Sequence, residues 1–190
     1  MIDESDIRSR IEECVRVQKA LLGETALLRE IAGIWIESLR RGGKILFFGN
    51  GGSAADAQHL ACELSGRFYK DRAGLAAVAL TVNTSSLTAI GNDFGYDAVF
   101  ARQLEGLGKP EDVAVGISTS GRSESVLAGL RRAREIGMRR CGFTGRRGGA
   151  LPDLVDLCLR VDSEETPRIQ EGHILAGHVI CELVEREMFP

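Results

Sequence analysis

The chain has 190 residues, 44% of them hydrophobic, which is enough for one well-buried core and short for two. A formal net charge of -3 leaves no electrostatic footprint for nucleic acid, and five scattered cysteines without a Cys-x-x-Cys argue against a disulfide framework or a thiolate zinc site. The acidic start Met1-Ile2-Asp3-Glu4-Ser5-Asp6 carries no apolar signal region and no apolar run is long enough to span a membrane, so a cytoplasmic protein with no membrane partner is expected.

Residues 3 to about 40 read as two helices. Ile7, Ile11, Val15 and Val17 begin an apolar stripe, Gly23 interrupts it, and Leu27, Leu28, Ile31, Ile34, Trp35 and Leu39 continue it at helical spacing. This N-terminal helical hairpin, residues 1–42, holds no chemistry-bearing cluster. It serves either to cover a sheet or to pair with a second subunit. Residues 43–190 then form an α/β core, and the chain reads as a single domain.

The core opens at Lys44-Ile45-Leu46-Phe47-Phe48, a short apolar run bounded by glycine that predicts a buried strand. Gly49-Asn50-Gly51-Gly52-Ser53 breaks it with a loop in which a ligand can approach the main chain. A helix follows, with Ser53 as its expected cap. On that helix His59 and Glu63 are four apart and share a face; by themselves they fit a surface ion pair as well as a site.

Strand then alternates with helix, the pattern of a parallel sheet. Strands are expected at residues 76–80, 112–117, 141–144 and 155–159, with a short helix ending before Gly91-Asn92-Asp93-Phe94-Gly95-Tyr96. The predicted fold is a three-layer α/β/α sandwich around a five-stranded parallel sheet. Ser118-Thr119-Ser120-Gly121-Arg122-Ser123 sets four hydroxyls and a glycine between a strand and a helix, where free N–H groups and the positive dipole end favour a phosphate. The loop lacks the Gly-x-x-x-x-Gly-Lys-Ser/Thr pattern of nucleoside triphosphate sites. The last helix runs from about Pro167 to Met188 and carries Arg168, Gln170, Glu171, His173 and His178. Gln170 and His178 lie two turns apart and about 80° round the helix, with His173 about 60° to the other side, so spacing does not rank the two histidines.

Gly49-Asn50-Gly51-Gly52-Ser53, His59-Leu60-Ala61-Cys62-Glu63-Leu64-Ser65-Gly66-Arg67, Gly91-Asn92-Asp93-Phe94-Gly95, Gly116-Ile117-Ser118-Thr119-Ser120-Gly121 and Arg168-Ile169-Gln170-Glu171-x-His173 resemble, in order, the motifs of the phosphoheptose isomerases. These are sugar isomerase (SIS) domain proteins, and the resemblance covers essentially the whole chain. It implies conversion of sedoheptulose 7-phosphate to D-glycero-D-manno-heptose 7-phosphate, the first step toward activated heptose for lipopolysaccharide core or surface glycans. It further implies a homotetramer with sites near subunit contacts. One zinc per subunit is expected on His59, Glu63, Gln170 and His178. Glu63 and His178 match the acid–base pair, which ranks His178 above His173. Ser118, Thr119, Ser120 and Ser123 match the phosphate positions; Asn50, Ser53 and Asp93 match positions on the sugar chain. Gly51, Gly52, Glu63, Asn92 and Gln170 belong to the same expected sugar-phosphate surface. One departure is Pro167, where many members of the family carry aspartate, so a hydroxyl-binding carboxylate is absent from that position. The competing reading is a non-catalytic SIS relative that binds the replication initiator; such relatives carry asparagine where this chain has His178. A third reading is a sugar-phosphate sensor or another SIS sugar-phosphate isomerase or lyase.

Overall fold

A strand buried on both faces needs two cores, and the sheet of this protein has them. The computed structural model describes residues 3–190; Met1 and Ile2, the first residues of the acidic segment, lie outside the described residues. All five residues of β1 (Ile45–Gly49) are buried. Because side chains alternate, Ile45 and Phe47 enter one core and Leu46 and Phe48 the other. Strands β2 (Ala77–Ala79), β3 (Val113–Ile117), β4 (Arg139–Gly145) and β5 (Leu157–Val161) complete a wholly parallel sheet in the order β2-β1-β3-β4-β5.

One face is covered by α2 (Thr25–Arg40), α3 (Gly52–Ser65) and α7 (Thr166–Met188), with α1 (Glu4–Ala20) outside them. Trp35 of α2 meets Phe47 edge-on at 5.2 Å in this core. The other face carries α4 (Thr84–Phe94), α5 (Val99–Leu107) and α6 (Glu124–Ile136), packed on Leu46, Phe48 and Ala114. These are the three layers expected. The two N-terminal helices are joined by the single 3-10 turn Leu21–Glu24, and both pack chiefly against α7 rather than each other.

Several boundaries move, each for a local reason. Ser53 does not cap α3: the helix starts at Gly52 after Gly51 at φ +57, and Ser53 is buried in the first turn with its N–H on the Asn50 carbonyl at 3.1 Å. Helix α4 runs through Gly91 to Phe94 and stops at Gly95, the glycine there with positive φ (+84). Asn83 caps its start by accepting from the Ser86 N–H at 3.0 Å, as the loop composition suggests. Helix α5 was unread, since its nine residues follow Gly95 with only a short 3-10 turn between. Strand β5 begins at Leu157 rather than 155, because Asp156 turns its carboxylate onto the Arg140 N–H at 2.7 Å. Three arginines at and after β4 are held by carboxylates: the half-buried Arg140 by Asp156, and the exposed Arg146 and Arg147 by Asp162 and Glu164.

Candidate active site

In a parallel sheet ordered 2-1-3-4-5 the crevice opens where the crossovers diverge, at the carboxyl ends of β1 and β3. Gly49 pairs with Ile117 at that edge, so the loops Asn50–Gly51 and Ser118–Ser123 emerge side by side. Asn50 Nδ2 donates to Ser125 Oγ at 2.9 Å, and Tyr96 donates its hydroxyl to Asn50 Oδ1 at 2.9 Å. Both ends of the amide are thus engaged, and the β1 loop is tied to the first turn of α6 and to the segment after α4.

The hydroxyl loop is a turn, with the Gly121 N–H on the Ser118 carbonyl at 3.0 Å. Gly121 sits at φ +62, where a β-carbon would collide with the Gly148 carbonyl. Ser118 Oγ meets Ser123 Oγ at 3.1 Å, and Ser120 Oγ accepts from the Arg122 N–H at 3.2 Å. No side chain caps α6 at Ser123, so its leading N–H groups and positive dipole end remain open to an anion. Beside the loop a cavity of about 390 Å³ is lined by Thr119, Ser120, Arg122 and the turn after β4.

Two helices deliver the other half. Leu60, Ala57, Ala61 and Leu64 anchor α3 on the core, which turns His59 outward and Glu63 to the half-buried flank. Gly177 of α7 sits over Leu60 with no side chain between, and the adjacent His178 faces α3. His59 Nε2 lies 2.8 Å from His178 Nε2 and 3.0 Å from Glu63 Oε1, and the ligand atoms of all three fall within 4.8 Å of one another. His59 Nε2 can share one proton with only one of those neighbours at a time. A cation accepting a lone pair from each satisfies all three, and two imidazoles with a carboxylate suit zinc. Burial holds the pKa of His178 below its ordinary value, a positive His59 pushes the same way, and Glu63 opposes both. Asp56, one turn before His59, has an unpartnered Oδ2, and burial raises its pKa to about 6 against the pull of His59.

Of the other expected site residues, Gln170 places its amide over Gly52 at the start of α3, in space that a β-carbon at Gly52 would occupy. Asn92 donates to Asp93 at 2.8 Å, and both are exposed at the end of α4. His173 is separated from His178 at once: it is fully buried, its Nε2 meets the Thr144 carbonyl at 3.1 Å, and burial lowers its pKa to about 4. Tyr96 and Ser125 were not singled out from sequence. The signal existed in their positions, one at the end of the Gly91–Tyr96 segment and one in the first turn after the hydroxyl loop.

Comparison with known proteins bears on the family and the fold. Residues 11–145 match the SIS domain family. A phosphoheptose isomerase of Burkholderia pseudomallei is 53% identical over 186 residues, covering 96% of this chain and 94% of that one. The solved phosphoheptose isomerase of Neisseria gonorrhoeae superposes with a TM-score of 0.91 at 41% identity over 96% of this chain and 98% of its own. That of Francisella tularensis gives 0.94 at 33% identity, over 98% and 100%.

Proposed function

The chain belongs to the SIS-domain family of phosphoheptose isomerases, and on that premise we propose that it interconverts sedoheptulose 7-phosphate and D-glycero-D-manno-heptose 7-phosphate through an enediol, with Glu63 and His178 as its acid–base pair. The observation that carries this reading is the convergence of His59 and Glu63 from α3 with His178 from α7.

Turning the ketose into the aldose moves a carbon-bound proton from C1 to C2 and a hydroxyl proton from O1 to O2. Glu63 takes the C1 proton and returns it to C2. His178, whose pKa burial holds below the ordinary histidine value, relays the proton between the oxygens. The phosphate rests on Ser118, Thr119, Ser120 and Ser123 with the open N–H groups of α6. Asn50, Gly51, Gly52, Ser53, Asn92, Asp93 and Gln170 take the sugar chain. Zinc would be held by His59, Glu63 and His178 with Gln170 as a fourth ligand. When bound, it supplies Lewis-acid polarisation of the carbonyl. The chain acts as one SIS domain of a cytoplasmic homotetramer, and its product enters activated-heptose synthesis for lipopolysaccharide or surface glycans. The presence of both acid–base groups favours this reading over a non-catalytic regulator.

The test is conversion of sedoheptulose 7-phosphate by the purified protein. Glu63→Gln is expected to lower kcat by roughly 10²–10⁴-fold with sugar-phosphate binding retained. Substantial remaining turnover removes Glu63 as the base. Chelation is expected to lower activity and added zinc to restore it.

A further inference from the structure

Beyond the three converging side chains, α3 and α7 are joined by a second buried polar centre that no role above uses. Arg72 and Glu185 form an ion pair with Arg72 Nε 3.0 Å from Glu185 Oε1, and their side chains are only 3% and 2% exposed. Both are tied further into the backbone. Glu185 accepts the N–H groups of Phe68, Tyr69 and Lys70 at 3.0, 2.8 and 3.0 Å. Arg72 gives Nη2 to the Glu63 carbonyl at 2.9 Å and Nη1 to the Leu64, Gly66 and Ala73 carbonyls at 2.6, 3.1 and 3.1 Å. Burial works to raise the Glu185 pKa, but the three loop amides and the guanidinium overcome it and leave the carboxylate below the ordinary glutamate value.

Two features tie this centre to the site. Among the carbonyls held by Arg72 is that of Glu63 itself, near the end of α3 where free carbonyls need donors. On α7, Glu185 follows His178 by seven residues, close to two turns, so both project from nearly the same face. The loop that Glu185 holds brings the Phe68 ring to 5.9 Å from the His178 ring. The centre therefore bears on the backbone of one acid–base group and on the ring of the other. We propose that Arg72 and Glu185 are positioning residues, a clamp that sets α3 against α7 so that His59, Glu63 and His178 converge. The inference rests on the acid–base reading above and adds to it two residues that do not touch substrate.

Glu185→Gln replaces one of two acceptor oxygens with a donor, so it cannot serve three amides and Arg72 together. Residues that orient metal ligands from outside commonly matter about 10–100-fold in affinity or activity. For Glu185→Gln assayed well below its melting temperature, kcat should fall about tenfold or more while KM changes by less than about twofold. Zinc affinity of the metal-free protein, read by competition with a chromophoric chelator, should fall about tenfold or more. Phe68→Leu, which keeps the ion pair, should show the same split in weaker form. A purely structural ion pair would lower the melting temperature and leave kcat and zinc affinity alone; that result in folded Glu185→Gln overturns the clamp. Where Glu185→Gln does not fold, unchanged kcat and zinc affinity in Phe68→Leu overturn it. Inactive wild type defeats the isomerase reading instead. The clamp is then judged by a crystal structure of either variant, and His59 and His178 nitrogens still at 2.8 Å sink it.

Discussion

Both ends of the Asn50 amide are bonded, to Tyr96 and to Ser125, so its orientation is set before any ligand arrives. Asn50 in turn sits at the mouth of the β1 loop, and freeing one end lets the amide rotate away from the sugar position proposed above. Removing one hydrogen bond of this kind is worth about 1 kcal/mol, so Tyr96→Phe should lower kcat/KM for the heptose phosphate by roughly fivefold. Steady-state kinetics check this, and an unchanged value would mean that Ser125 alone orients Asn50. His173 leads to a different prediction, about stability. The unfolded chain binds its proton near pH 6.5 and the folded chain only near pH 4, so stability present above pH 6.5 is lost as pH falls through that window. Urea unfolding of the wild type and His173→Gln should show the wild type's advantage shrink by about 3 kcal/mol between pH 7 and pH 4.

At the scale of elements, the site depends on how closely two helices approach. Gln170 over Gly52, Gly177 over Leu60 and Glu185 at the loop after α3 show α3 and α7 running side by side in the same direction. A β-carbon at Gly177 would lie 2.5 Å from Leu60 Cδ2, so any larger residue there has to displace the buried Leu60 side chain at the level of His59 and His178. Gly177→Val should force the helices apart, destabilise the fold by about 1–3 kcal/mol and weaken zinc binding, with calorimetry and metal titration as the readouts. Sequence reading found the helices but not their approach. Gly177 looks like any tolerated helical glycine until the partner helix is placed. The same holds for Glu185, which reads as one more charge on an amphipathic helix and proves to be buried.

At the scale of the molecule, α1 leaves Ile7, Ile11 and Val15 of its apolar stripe exposed, and the 3-10 turn after it leaves Leu22 exposed. An apolar face without cover within one chain fits contact with another copy. The homotetramer proposed above predicts a sedimentation mass four times the 20.6 kDa chain, and Ile11→Glu with Leu22→Glu should shift it to smaller species. Among the described residues no helix is long and apolar enough to cross a membrane.

The amino-acid sequence alone carried the local features: the strand runs, the glycine and hydroxyl loops, the four-residue spacing of His59 and Glu63, and the resemblance that ranked His178. All but the last follow from periodicity and turn chemistry, which act over a few residues. Tertiary structure decided the rest. It buried His173 and left His178 half-buried beside α3 although the two are five residues apart, turned Gln170 onto Gly52, and brought Tyr96 to Asn50. Those outcomes depend on strand order and on the distance between α3 and α7. The first is set by strands paired tens of residues apart and the second by helices more than a hundred residues apart, and no local pattern encodes either.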